Sequence, residues 1–406
     1  MISRSNMIFF GLLLSLSGAG IIYFLSLILH LPFVVAVCVW LLSVIGLYRL
    51  FFEKETELSQ KDISFATLFV LVVGLALLVN RGFHLSEKYG QWDAWAIWNL
   101  HAKFLFYPES WENLFAPGVS PHPDYPLNLP LINAFIWRIV GSQSFLVPFA
   151  IASLVTLLIP VISFLQLCLR NLWIAAAVLI WYATDDFYIE RGLSQYADSL
   201  LSLLFFCSFI CADYYNNTGK KKYLWLTGVF LGLCAWTKNE GIMLAGIFCL
   251  CHLPTWLRKG CWFHILAGAG IPLFALLIFK LGFAPANDLV SRQSKTTLDF
   301  ITDTERYNLI RNALQQTTDQ YFSTQQNLLW ICGTLYLLRN QWFDRQMMIL
   351  LLCFFGFMTV YLLTPMSLEW HLNTSLDRVL LQLSPAFIYV AGKTLTDWFQ
   401  FPSVDK

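Results

Sequence analysis

The sequence predicts an all-α, polytopic integral membrane protein of about twelve transmembrane helices, and three observations predict it. Of its 406 residues, 57% are hydrophobic and only 13% charged, whereas soluble domains carry about 25% charge. The mean hydropathy is +0.60. Apolar runs long enough to approach the thickness of a bilayer recur along the whole chain. The net charge of +1, from 26 basic and 25 acidic residues, supplies no bulk field for nucleic acid, so none is expected as a partner. Ten cysteines are scattered through apolar stretches, among them Cys207, Cys211, Cys249 and Cys251. They have neither zinc-site spacing nor the density of a disulfide scaffold, and read as small core residues.

In chain order, the first apolar run reaches Leu29. It is too long for a signal-peptide core and lacks a small-residue cleavage site, so it reads as a retained span. Further runs lie at about 33–51, 63–80, 145–168, 172–184, 199–215, 223–237, 241–253, 262–283, 326–338, 346–364 and 379–396. Short cytoplasmic loops collect Lys and Arg. Arg4 begins that side here, followed by Arg49, Lys54 and Lys61, then Arg170, the triplet Lys220 to Lys222, the pair Arg258 and Lys259, and finally Arg339 and Arg345. Both termini are then cytoplasmic. This register requires that 127–141 not cross; its proline-rich start, its brevity and Arg138 fit a helix in or near the outer interface. Trp181, Tyr214, Trp256 and Trp262 mark run ends, as rings anchored at headgroup level do. Gly228 and Gly232 have the GxxxG spacing that lets two helices approach closely.

Ionisable groups in such a chain are costly unless they line water, contact a ligand or pair, and they concentrate on the outer side. The loop from Arg81 to Pro126 is densest. In it Asp93 is fenced by Trp92, Trp95 and Trp98; sugar rings stack on such faces, and removing water strengthens a carboxylate as a proton acceptor. An anchoring interfacial helix whose Asp93 pairs with Lys103 or Arg81 fits the same residues. Three prolines in 121–126 stiffen the path that carries His122, Asp124 and Tyr125, which is either a cleft wall or a corner into the next helix. His122 and Asp124 are two candidate ligands for a divalent cation without metal-specific spacing, so the sequence indicates no cofactor. Lys238 and Glu240 interrupt a nearly continuous apolar run, either as a mutual ion pair or as a site for an anionic group. Near the end, 369–378 packs seven polar residues before the last run, including His371 and Arg378. Arg378 at a helix start facing the headgroups suits either a phosphate or a lipid anchor.

Together these residues resemble the GT-C glycosyltransferases, membrane enzymes that take a sugar from a polyprenyl-phosphate donor, and among them the protein-mannosyltransferase and lipid A aminoarabinose transferase group. The resemblance runs from about Trp92 to Arg378 and rests on Trp92-Asp93, on His122-Pro123-Asp124-Tyr125-Pro126-Leu127, on Tyr196-Ala197-Asp198, on the Lys238 break after a small-residue span, and on Trp370-His371 to Ser375-Leu376-Asp377-Arg378. It implies that Asp93 is the catalytic carboxylate activating an acceptor, with inversion at the sugar carbon. It implies that Lys238 and Arg378 neutralise the leaving lipid phosphate, and that Trp92, Trp95, His122, Asp124, Tyr125, Asp198, Glu240 and His371 shape the substrate sites. The implied partners are a polyprenyl-phosphate-linked sugar, a glycan, lipid or protein acceptor, and membrane lipid, on an extracytoplasmic face. The implied division is 1–62 as N-terminal transmembrane helices, 63–396 as the catalytic module with outer loops 81–126 and 284–325, and 397–406 as a cytoplasmic tail. The chain departs from some members in having one acidic residue, Asp93, where they have an adjacent pair.

Two other classes compete. A transporter needs polar groups at mid-membrane depth and usually two similar halves; no internal repeat is visible. A lipid-linked glycan ligase or polymerase differs mainly in using diphosphate donors. Gly392-Lys393-Thr394 imitates the end of a phosphate-binding loop, but the earlier glycine position holds Phe387 and no strand precedes it.

Overall fold

A computed structural model describes residues 4–52, 64–286, 296–338 and 344–399. Lys54, Lys61, Arg339, part of the 284–325 loop and most of the 397–406 tail lie outside the described residues. Within them the chain is all-helical, with no strand. Eight helices are long and apolar enough to cross a membrane, or up to nine if one bent pair forms a single span. The protein is thus a multi-pass helical membrane protein.

The first helices are α1 (Arg4–Ile28), α2 (Phe33–Phe52) and α3 (Phe65–Leu85), and α3 runs on past the expected run end at residue 80. The first outer loop is itself mostly helical. A π-turn over Ala94–Trp98 leads into α4 (Asn99–Leu105), and a 3-10 turn over Trp111–Phe115 follows. Then come α5 (Asn128–Val140), α6 (Leu146–Cys168), α7 (Leu172–Thr184) and α8 (Asp186–Leu193). Asp185 ends α7 and caps α8, accepting from the Tyr188 N–H at 3.0 Å, and the pair bends by 65° there. The centre is α9 (Ala197–Thr218), then α10 (Lys221–Thr237), α11 (Asn239–Arg258) and α12 (Trp262–Gly282). Expected loop 284–325 instead holds α13 (Thr297–Thr302) and α14 (Thr304–Tyr321), followed by α15 (Ser323–Leu338), α16 (Arg345–Leu363) and α17 (Leu368–Phe399). The runs at 223–237 and 326–338 give helices of 17 and 16 residues, roughly 25 Å long against a hydrocarbon core of about 30 Å.

Helix α9 is apolar on nearly every side and is buried from Ala197 to Tyr215, as a helix without a polar face must be. It packs against α10, α6 and α17. Its two carboxylates fasten it to α17 at two heights, roughly 22 Å apart along the axis. At one end Asp198 accepts from Gln382 Nε2 at 2.6 Å. At the other Asp213 accepts from the Tyr389 hydroxyl at 2.7 Å, Lys393 Nζ at 2.5 Å and Gln346 Nε2 at 2.9 Å. The ends of α6 and α17 share a side, since Arg170 pairs with Asp397 at 3.0 Å.

Helix α5 is too short to cross, as expected, but it is no interfacial helix. Nine of its 13 residues are buried, and it packs against α1 and α4. Its two asparagines fix it inside the protein. Asn128 donates to Thr237 Oγ1 at 2.9 Å, and Asn133 donates to Asn99 Oδ1 at 3.2 Å.

The GxxxG pair does bring helices together. A Cβ on Gly228 would fall on the Ile265 carbonyl, and one on Gly232 would crowd Ala269, so α10 and α12 touch backbone to backbone. Gly246 of α11 has no neighbour within 4 Å of such a Cβ. Gly228→Leu should therefore cost about 3 kcal/mol or more in stability, while Gly246→Leu should be tolerated. Melting of the two purified variants in detergent compares them, and equal melting points would remove the close approach as a determinant of the fold.

Candidate functional site

The first loop, the end of α8 with the start of α9, the α10–α11 break, the end of α16 and the first turns of α17 converge on one cavity of about 680 Å3, within the usual size of a small-molecule site. Trp92, Asp93, His122, Asp124, Tyr125, Asp198, Lys238, Glu240, His371 and Arg378 all line it. Trp95 does not. It packs edge-on against Trp92 with centroids 4.3 Å apart and is half exposed on the outside.

At the mouth, Asp93 directly precedes the π-turn, a distortion that recurs at functional sites. Its backbone N–H donates to the Tyr196 hydroxyl at 3.2 Å. Its carboxylate pairs with Arg378, not with Lys103 or Arg81; Arg81 instead forks onto Asp186. Arg378 is not at a helix start facing headgroups. The polar stretch 369–378 forms the first turns of α17, so Arg378 is folded inward and lies over the Tyr196 ring at 5.0 Å. Its Nε and Nη2 donate to Thr374 O at 3.1 and 2.7 Å. Beside it, Arg191 Nη2 pairs with Asp377 at 2.9 Å and Nη1 donates to Gln91 Oε1 at 2.8 Å. Adjacent residues of α17 thus hold opposite charges on two different elements.

The floor is the α10–α11 break. Lys238 alone is extended there, with φ −151° and ψ 158°, and its ammonium reaches Asp198 at 2.9 Å and Glu240 at 3.1 Å. The mutual pair and the cavity position expected for Lys238 and Glu240 are both present. The ammonium also sits about 6 Å from the centres of the Trp98 and Tyr125 rings. Asp198 Oδ2, Glu240 Oε2 and Trp98 Nε1 are buried without a hydrogen-bond partner. Such groups are costly unless a ligand or water meets them.

The proline corner forms the side wall. His122 has a φ of +50°, a left-handed conformation that a non-glycine residue holds only against strain, and its ring stacks on Tyr125 at 4.7 Å. Burial pushes the Tyr125 phenol well above its usual range, and the nearby Glu240 and Asp124 carboxylates add to this, so it stays a hydrogen-bond donor. Asp124 is buried and accepts from Asn239 Nδ2 at 2.8 Å. Lys280 of α12 locks the corner from behind, donating to Asp124 O at 2.6 Å and Asn239 Oδ1 at 2.7 Å. His371 bonds Thr364 Oγ1 at 3.0 Å through Nδ1. Among the described residues no group of three or more His, Cys, Asp or Glu could hold a metal ion.

Sequence reasoning did not single out Arg191, Asp377, Lys280 or Gln382. Lys280 carried a signal, as the only Lys or Arg in the run 262–283. Asp377 adjoins Arg378, Arg191 lies in the short polar stretch before Asp198, and Gln382 lies unmarked in an apolar helix.

Two predictions follow from this packing. Lys238→Met leaves the buried Asp198 carboxylate and the half-buried Glu240 carboxylate without their counter-ion and should cost about 3–5 kcal/mol, part of which Lys238→Met combined with Asp198→Asn should recover in the same melting assay; no recovery would break the assigned pairing. His101 fixes the corner to α4 through Nε2, near Ser120 Oγ at 2.9 Å and Pro121 O at 3.1 Å, and burial lowers its pKa from 6.5 to about 4. Its contribution is therefore complete above pH 6.5 and is lost as the pH falls toward 4, where the unfolded chain binds a proton that the fold excludes. A His101→Gln protein should lose less stability than wild type between those pH values.

The chain matches no protein-family model, no curated protein and no solved structure.

Proposed function

We propose that the protein is a GT-C type glycosyltransferase that moves a sugar from a polyprenyl-phosphate donor to a glycan, lipid or protein acceptor on the extracytoplasmic face, in a twelve-span topology with both termini cytoplasmic. The observation that carries this reading is a polar cavity that gathers acidic, basic and aromatic side chains, with a separate apolar groove on two of the same helices, α16 and α17. The cavity sets Asp93, Arg378, Lys238 and stacked aromatic rings around one space. The separate groove of about 410 Å3, which shares no lining residue with the cavity, is lined by Leu350, Phe354, Leu383 and Phe387 with Trp330 of α15. Phe355 and Trp330 at its edge are exposed, toward what a bilayer would fill. The cavity suits a phosphate-linked sugar, and the groove suits an apolar chain.

In this reaction Asp93 takes the proton of an acceptor hydroxyl as that oxygen bonds to the sugar carbon. The bond from that carbon to the phosphate oxygen breaks, and its electron pair leaves with the lipid phosphate. Lys238 and Arg378 lie where that growing charge is met, the electrostatic share of such catalysis. Attack from the face opposite the phosphate inverts the carbon. The rings of Trp98 and Tyr125, stacked at 5.6 Å, and the unpartnered atoms of Asp198, Glu240 and Trp98 suit a hydroxyl-bearing ring.

A membrane transporter or a lipid-linked glycan ligase or polymerase is the second reading; the cavity alone also suits an occluded solute. The deciding assay gives purified protein a panel of polyprenyl-phosphate sugars with membrane extract as acceptor and follows free polyprenyl phosphate. Wild type should release it, and Asp93→Asn should be slower by about 10² to 10⁴-fold. No release from any donor by folded protein would transfer the assignment to the other two classes.

A further inference from the structure

We infer that Arg378 is an exchangeable anion site whose occupant in the structure is the Asp93 carboxylate, and that the donor's phosphodiester takes its place, releasing Asp93 only when donor is bound. This rests on the proposed reaction and adds an order to it. In the structure the two groups needed for different steps occupy each other. Arg378 meets the carboxylate through Nη1 alone, its Nε and Nη2 being held by Thr374 O. The arginine is thus fixed by its own helix and offers one free edge to the cavity. Asp93 is the movable partner. Its backbone is anchored by the N–H bond to the Tyr196 hydroxyl, so rotation of a short side chain is enough to break the pair.

Tyr196 makes the exchange local. The same residue carries the guanidinium on its ring and the Asp93 backbone on its hydroxyl, so neither anchor moves when the carboxylate leaves. The donor's phosphodiester carries one full negative charge and two free oxygens, so it offers an arginine the same fork of acceptors that the Asp93 carboxylate does. The other cations around the cavity are committed elsewhere: Lys238 to Asp198 and Glu240, and Arg191 to Asp377 and Gln91. Arg191 Nε is also buried without a partner, a second donor beside the exchange point. Once the phosphate sits on Arg378, the Asp93 lone pairs are open to an acceptor hydroxyl. Donor therefore binds first, and an acceptor arriving early finds its base engaged.

The exchange gives Asp93 an effect on binding of opposite sign to that of an ordinary substrate contact. Full-length protein in detergent is titrated calorimetrically with decyl phosphate, with inorganic phosphate and with decanol. Asp93→Asn removes the internal competitor and should bind decyl phosphate about tenfold tighter than wild type, with a parallel gain for inorganic phosphate and none for decanol. A gain for decanol but not for inorganic phosphate would assign the effect to the lipid groove and overturn the exchange. Arg378→Ala should bind decyl phosphate weakly, and adding Asp93→Asn to it should give no gain. Asp93→Ala tests the same competition, so failure of one variant to fold does not decide the matter; melting identifies the folded protein. Unchanged or weaker phosphate binding in both folded Asp93 variants, with loss in Arg378→Ala, would overturn the exchange and leave the donor reading standing. Binding of phosphate by none of the proteins would remove the anion site and the donor reading together.

Discussion

A lysine buried where two helices meet cannot remain charged without carboxylates beside it, and that demand organises this protein. Lys238, almost wholly buried, interrupts the run that would otherwise make α10 and α11 one helix. Its two partners come from different places, Glu240 from the following turn and Asp198 from the start of the central helix α9. Satisfying the ammonium therefore fixes the angle between α10 and α11 and the height of α9 at once. Gln382 shares the Asp198 oxygen, which brings in α17 and with it Arg378. Desolvation, costly for each charge alone, thus gathers charges into matched clusters, at one end of α9 around Asp213 and Lys393 and at its other end around Asp198 and Lys238.

Around that pair, the remaining charges are matched across elements rather than along them. Arg378 goes to the first loop, Asp377 to α8, and Lys280 to the proline corner. Arg306 of α14 closes the end of α16, donating to the carbonyls of Tyr361, Leu362 and Thr364 at 2.9–3.0 Å, the role that a basic side chain plays at a helix C-terminus. Thr364 in turn orients His371. Lys280, Arg306 and Thr364, which do not line the cavity, thus support its wall from behind.

Hydropathy made the helical bundle legible, because continuous apolar runs leave few alternatives. The grouping of Asp93, Asp198, Lys238 and Arg378 was legible for a related reason: charge is so rare in this chain that each instance carries information. Depth was not. Helices α10 and α15 are shorter than a hydrocarbon core is thick, and α5 is mostly buried in the protein; hydropathy cannot separate a lipid neighbour from a protein one. Trp95 misled for want of a direction, since three tryptophans in seven residues do not say which ring faces in. Pairings between distant segments, Arg191 with Asp377 above all, leave no mark in one sequence.

The apolar groove between α14, α15, α16 and α17 bears on encounter as well as on fit. For the proposed lipid-linked donor, a tail that enters past Phe355 and Trp330 arrives by moving within the plane of the bilayer. Its supply is then counted per area of membrane and not per volume of solution, and the protein searches in two dimensions. Saturation for such a ligand depends on its mole fraction among lipids, so diluting the aqueous phase at a fixed lipid composition leaves occupancy unchanged.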